Sequence, residues 1–575
     1  MKTAKTCEPF HIGGPVGALA DNVINNWLIG LRESNPAIIE MFRGKDLEPF
    51  RDLLPWSGEF AGKYITGAYY IYRLTGNKRL YHYILGFLDE LLTCIEPDGY
   101  IGCFSGKCHL TGSYSQSPSV VGVTWDAWSH YHIMYGLFLW YRETGNEKLL
   151  ASLEKIAGLF LRKFYGPGLR RLADIGMTEQ NLAPLHIFSL LYKETGKNEY
   201  LRFARNIEKD IASPNAGDYI NFALKNGDFY RNPMPRWESL HILMGVAAMY
   251  DATGEERYRQ ATIQIFDSIM KTDIHNTGGF STDERAIGTP YINGVIELCC
   301  TIAFNAFAFD VFRLTSRLDI IDYLELSYYN AIMGSFSPSG RWSTYNTPMD
   351  GVKEANYSSI GFQCRPGSPE LNCCSANSAR GIGALSDWII TEENDITYVN
   401  YFGPFQCRTE SGLTIQSESD YPANGNIRLY FSTQKPQSIA IRIPGWSKVT
   451  KAQLRGEEYS PVAGSYWSLP LPVGDTQVDL SFDMSPRILE GREGYAGKLC
   501  VYSGPVLFGA DLSLSNNCSL DLLSPVSVAA LGNSVPRRSE TGKILLKIPN
   551  GPELCDFYRL GQTGSVYKTW LQAVK

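Results

Sequence analysis

Positive charge is not in excess in this chain: 19% of its 575 residues are charged and the net charge is −6 at pH 7. Nucleic acid and anionic membrane surfaces attract clustered Lys and Arg, so neither is an expected partner. The N-terminus, MKTAKTCEPFHIGG, lacks the apolar core of a secretory signal, and no uninterrupted apolar run reaches bilayer-spanning length. The expected location is the cytoplasm. Regular cysteine spacing is also missing, since the thirteen cysteines are scattered unlike those of a disulfide scaffold, and an odd number leaves one over. In a reducing compartment, clustered thiols point to metal binding or catalysis. Isolated ones such as Cys94, Cys407, Cys500 and Cys555 read as small buried hydrophobes.

What the chain has is length for two or three domains, a 13% share of aromatic residues, and a repeated phrase. RLTGNKRL, RETGNEKL, KETGKNEY and DATGEERY carry turn glycines at Gly76, Gly145, Gly196 and Gly254, and RLTSRLDI near Phe309 is a weaker fifth copy. Each predicts the end of one helix, a turn with glycine just past that end, and the start of a second helix. The copies are irregularly spaced and joined by long segments rich in Gly, Pro and aromatics, which suits a closed ring of paired helices with loops at one end better than a uniform solenoid. From about Trp388 the pattern changes to short alternating stretches such as ITYVNYF, NIRLYFS, SIAIRIPGW and QVDLSFDM, the period of a β-sandwich, with VYKTWLQAV as one more strand. The expected organisation is a helical barrel over 1–390 and a β-sandwich part over 391–575.

Two cysteine segments lie near the end of the helical part: IELCC, with Glu297, Cys299 and Cys300, and LNCCSANSAR, with Cys373 and Cys374. Three thiolates and a carboxylate would suit zinc, although neither segment has the spacing of a zinc finger, and buried unligated thiols are the alternative. Residues i and i+2 of a helix point about 200° apart, so Glu297 and Cys299 can share an ion only where the backbone is not yet regular helix. Adjacent Cys373 and Cys374 meet a similar restriction. Both segments would then be helix starts, where free N–H groups favour thiolates. The other option pairs Glu297 with Cys300, three residues on.

Through Glu297-Leu298-Cys299, CCSANSAR, and the strands IAIRIPGW and KLCVYSGPVLFGAD, the chain resembles the β-L-arabinofuranosidases of glycoside hydrolase family 127. That resemblance implies an (α/α)6-barrel catalytic domain followed by β-sandwich, and zinc held by Glu297, Cys299, Cys373 and Cys374, with Cys373 as nucleophile. It also implies a general acid and base ahead of Glu297, a place taken by Glu284, with Asp283 beside it, at a shorter spacing than the family's. Substrate-binding positions would be His132, His241, Trp125 and Asp126, with Tyr345 and Asn346 lining the pocket; a further family histidine is matched by Asn181. The substrate would be a glycoside or small oligosaccharide, and a homodimer is an open option.

Two other readings use the same residues. One is an (α/α)6-barrel hydrolase, lyase or epimerase that works with carboxylates such as Asp126, Glu238, Asp283 and Glu284 and keeps its cysteines structural. The other is a non-catalytic carbohydrate-binding protein.

Overall fold

The computed structural model describes residues 1–355, 370–514, 526–532, 534–549 and 551–574. The repeated phrase becomes five helix pairs: Glu59–Thr75 with Lys78–Leu92, Asp126–Thr144 with Glu147–Phe164, Pro184–Thr195 with Asn198–Ile211, Ser239–Thr253 with Glu256–Thr272, and Leu298–Thr315 with Leu318–Ser327. The turn glycines adopt φ of 65°, 65°, 68° and 70°, the left-handed region that glycine enters without strain. In the fifth copy Ser316 takes the same role at φ 57°.

The threonine of each turn explains the other half of the phrase. Thr75 Oγ1 donates to the Ile71 carbonyl at 2.8 Å and accepts the Asn77 N–H at 3.3 Å. Thr144, Thr195, Thr253 and Thr315 repeat both bonds. One hydroxyl thus satisfies a carbonyl of the ending helix and stiffens the lead into the next.

The first helix of every pair lies inside. Glu59–Thr75 packs on Asp126–Thr144, and the series continues through Pro184–Thr195, Ser239–Thr253, Leu298–Thr315 and Cys373–Gly383, which returns to Glu59–Thr75. Six inner helices therefore close a ring, and the fold is the expected (α/α)6 barrel. Close approach of the inner helices uses glycines: a Cβ at Gly62 would stand 2.3 Å from the His132 carbonyl carbon, and one at Gly383 would stand 2.4 Å from that of Tyr70. Leu298–Thr315 is long and apolar enough to cross a membrane by length and composition alone, although Asn305, Asp310 and Arg313 interrupt it. Here it is an inner helix, 67% buried, and an inner helix is apolar on most sides because it has neighbours on most sides.

Among the described residues three β-sheets accompany the barrel. A five-stranded and a seven-stranded sheet share buried side chains, among them Ile439 and Ile441 of one and Leu429 and Val478 of the other, in one apolar cluster continuous with the barrel. The first twelve residues join these sheets, since Lys2–Thr3 pairs with Ile390–Glu393 and His11–Ile12 pairs with Phe405–Arg408. A third sheet, built from strands between Arg487 and Val574, has its own core and packs Tyr495, Tyr502 and Trp570 against Ile296 and Met349, beside the cysteine site.

Arg442 joins barrel and sheet. It is fully buried, and its guanidinium donates to Glu325 Oε1 and to Asp322 Oδ1, both at 2.6 Å, and to the Asn400 carbonyl at 3.0 Å. Arg442→Met would strand Glu325 without its counter-charge, so chemical denaturation should register a loss of about 3–5 kcal/mol.

Candidate active site

Both cysteine segments are helix starts. Glu297 caps Leu298–Thr315 from an extended conformation, φ −74° and ψ 135°, which lets its side chain and that of Cys299 face the same way. Asn372 caps Cys373–Gly383, accepting the Ser375 N–H at 2.9 Å, so the two adjacent cysteines occupy the first helical turn. Glu297 Oε1 accepts from Cys374 Sγ at 3.4 Å and Cys373 Sγ at 3.6 Å, and the two sulfurs are 3.9 Å apart. Ligand atoms of Glu297, Cys299, Cys373 and Cys374 all lie within 4.8 Å of one another, and all four residues are buried. Cys300 is turned to the other carboxylate oxygen and donates to Glu297 Oε2 at 3.2 Å. Of the two partners left open by the sequence, Cys300 thus bonds Glu297 directly, whereas Cys299 joins Glu297 in the group of four ligand atoms.

The donor set fits a tetrahedral, borderline-soft ion, and its protonation states argue the same way. Burial, followed by the negative charge of Cys299, holds the Glu297 carboxyl well above the usual range. Burial likewise raises the Cys374 thiol, and the bond with Cys299 raises that of Cys373. Cys299 goes the other way: burial opposes its ionisation, but hydrogen bonds from Cys373 and Cys374, with the Lys63 ammonium, bring it well below the ordinary thiol range. A divalent cation bound among these donors would favour their ionised forms. Of the three clustered thiols Cys373 is 7% exposed, whereas Cys299 and Cys374 are at 0%. Cys373 is therefore the most accessible of the three.

Glu284 stands on a strained loop in which Ser281, Asp283 and Glu284 have φ of 75°, 49° and 68°. Its Oε2 accepts from Arg236 at 2.7 Å and its Oε1 from the Tyr345 phenol, while the side chain stays partly exposed. Asp283 is spent on the backbone, accepting the Val295 N–H at 3.0 Å. Burial pushes the Tyr345 phenol far above its ordinary value, helped by negative charge on Glu297, Cys373 and Glu284, so it stays a donor.

The remaining sequence candidates divide. His132 and His241 are buried with ring centroids 5.1 Å apart, and Trp128 lies edge-on to both at 4.4 and 4.8 Å. Burial holds both imidazoles neutral, and among the described residues neither Nε2 has a hydrogen-bond partner. The Tyr131 phenol engages Nδ1 of His241 at 2.9 Å and Nδ1 of His186 at 3.0 Å. Trp125 begins its helix and packs on Trp56 at 4.8 Å. Asp126 does not face this group: its Oδ2 accepts from the Tyr100 hydroxyl at 3.1 Å and the Leu110 N–H at 2.8 Å, which anchors the preceding loop. Asn346 is also occupied, accepting from Ile296 N at 3.1 Å and donating to Glu354 at 3.2 Å, so it braces the backbone beside Glu297. Asn181 bonds the Thr124 and Gly176 carbonyls.

Missed in the sequence were Glu59, Lys63, Trp128, His186 and Arg236. The spacing of Glu59 and Lys63 on an otherwise apolar helix was the available signal.

Residues 32–387 match the family model described as β-L-arabinofuranosidase, GH127 catalytic domain, and residues 396–484 match the GH127 middle domain. The chain belongs to glycoside hydrolase family 127. It is therefore an enzyme of the glycoside hydrolase class, with a carbohydrate substrate. Similar solved structures include a GH127 β-L-arabinofuranosidase from Geobacillus stearothermophilus T6, at TM-score 0.78 and 16% identity, covering 98% of this chain and 100% of that one. A second, described as a GH127 β-arabinofuranosidase, has TM-score 0.77 and 20% identity, covering 100% of this chain and 98% of its own. No curated protein matches this family 127 chain in sequence.

Proposed function

We propose that this chain is a retaining exo-glycosidase for a terminal β-L-arabinofuranosyl unit, using zinc held by Glu297, Cys299, Cys373 and Cys374 and the Cys373 sulfur as nucleophile. The observation that carries the reading is the convergence of both adjacent thiols on Glu297 Oε1, with Cys299 beside them. The arabinofuranosidase names of the similar structures support the choice of sugar. Zinc bound there would keep its thiols ionised near neutrality.

The protein groups then divide the work. Cys373 Sγ attacks the anomeric carbon and forms the C–S bond as the glycosidic C–O bond breaks, and Glu284 gives its proton to the leaving oxygen. Water next attacks the same carbon, Glu284 takes the water proton, and the C–S bond breaks to restore the sulfur. Two inversions give net retention. Arg236 and Tyr345 fix the direction of Glu284, while neutral His132 and His241 offer Nε2 to sugar hydroxyls.

Metal analysis combined with a panel of synthetic furanosides and pyranosides, followed by NMR of the first-formed anomer, tests the proposal. The expected result is one zinc per chain, cleavage of the β-L-arabinofuranoside, and a first product with the substrate's configuration. Removing the metal with a chelator should abolish turnover and lower the thermal midpoint, because the four donors join two separate segments. Hydrolysis that survives complete metal removal would reject it.

A carboxylate mechanism has one observation in its favour: Arg236 holds Glu238 at 2.6 and 3.0 Å as well as Glu284, so two carboxylates share one cation. In that case Cys373→Ala would hydrolyse the substrate like wild type.

A further inference from the structure

Beside the cysteine cluster stands a buried ion pair that the mechanism above does not use. Glu59 and Lys63, one turn apart on the first inner helix, are each 1% exposed. Lys63 Nζ donates to Glu59 Oε1 at 2.8 Å and reaches Cys299 Sγ at 3.9 Å. Glu59 Oε2 accepts from Trp128 Nε1, and the ammonium lies 5.8 and 5.4 Å from the ring centroids of Trp128 and Trp237. Removing two charges from water is costly, and well-packed apolar residues of similar volume often stabilise a core as well or better. Stability of the barrel therefore gives no reason for the pair.

Charge balance at the cluster does. Three thiolates and a carboxylate bring four negative charges, a divalent ion cancels two of them, and the surplus is confined in a water-poor interior where it is weakly screened. We propose that Lys63 is a positioning residue for the metal: it donates to the Cys299 sulfur, fixes the direction of that ligand and offsets part of the surplus charge, while Glu59 and Trp128 lock its rotamer. This rests on the metal reading of the cluster. The arrangement also divides the thiols by task, because a sulfur lone pair engaged by an ammonium is a poorer nucleophile. Cys299 is kept as a ligand, and attack is left to the more accessible Cys373.

The test compares wild type with Lys63→Met, Glu59→Gln, and the double variant Glu59→Gln/Lys63→Met. The double variant removes both charges and so folds without a stranded one, which circular dichroism and the thermal midpoint verify. Zinc affinity is read by competition with a chromophoric chelator, and ligand geometry by the sulfur-to-metal charge-transfer bands of the cobalt-substituted chain. Loss of a group that orients a metal ligand commonly weakens affinity about 10–100-fold. Both variants lacking Lys63 should fall in that range with shifted cobalt bands, and Glu59→Gln, which keeps the ammonium, should stay near wild type. A folded double variant with wild-type zinc affinity and an unchanged cobalt spectrum would overturn the role of Lys63 and leave the metal reading standing. A wild-type chain that takes up no metal would overturn both.

Discussion

Cys373→Ala should lower kcat/KM on the β-L-arabinofuranoside by on the order of 10^4-fold or more, with the fold and most of the metal affinity intact. The fold survives because Cys373 is the first residue of a helix whose capping bonds come from Asn372 and Ser375, which the substitution leaves alone. Three donors remain, Glu297, Cys299 and Cys374, and three protein ligands still make a metal site. Cys374→Ala removes a sulfur slightly nearer to Glu297 but should behave differently: its primary defect is expected to be metal affinity, so added zinc restores part of the activity. No excess of metal should rescue Cys373→Ala. That contrast separates a nucleophile from a ligand, which loss of activity alone cannot do.

Glu284→Gln should cost about 10^2–10^4-fold on a substrate with a poor leaving group, since general acid and base assistance is of that size. An activated aryl furanoside departs without a proton, so its first step should be nearly normal. Its second step still needs a base to deprotonate water, and the glycosyl-enzyme should accumulate. Azide needs no deprotonation and should restore turnover, giving a glycosyl azide of retained configuration. Asp283→Asn should lack this signature, because Asp283 accepts the Val295 N–H instead of facing the thiols. If Asp283→Asn were the variant rescued by azide, the acid would have been assigned to the wrong carboxylate.

Much of the barrel is legible in the sequence because its turns use strictly local chemistry. A threonine and a glycine at the end of a helix announce themselves within four residues, through the hydroxyl bonds and the positive φ. Part of the cluster is legible for a related reason: Glu297 and Cys299 could share an ion only from backbone that is not yet helical, and Glu297 is indeed extended, while the full set of four came from the family resemblance.

What is hidden depends on distant partners. Glu59 and Lys63 show only as an i, i+4 charge pair on an otherwise apolar helix, and nothing near them in the chain says that Cys299 and Trp128 will enclose them. Arg236 reaches Glu284 only because two loops meet, and the pairing of residues 2–3 and 11–12 into sheets formed by residues beyond 390 has no local signal. Asp126 follows Trp125 at the start of an inner helix, yet the Tyr100 and Leu110 donors claim its carboxylate for the loop.

The most direct test is to trap the covalent species. The Glu284→Gln variant, loaded with zinc, is mixed with an activated aryl β-L-arabinofuranoside, quenched, digested and mapped by mass spectrometry. The prediction is a peptide containing Cys373 heavier by one pentosyl residue, at a stoichiometry matching the burst of released aryl alcohol. A burst with the sugar on a carboxylate, or with the Cys373 peptide unmodified, would contradict a cysteine nucleophile.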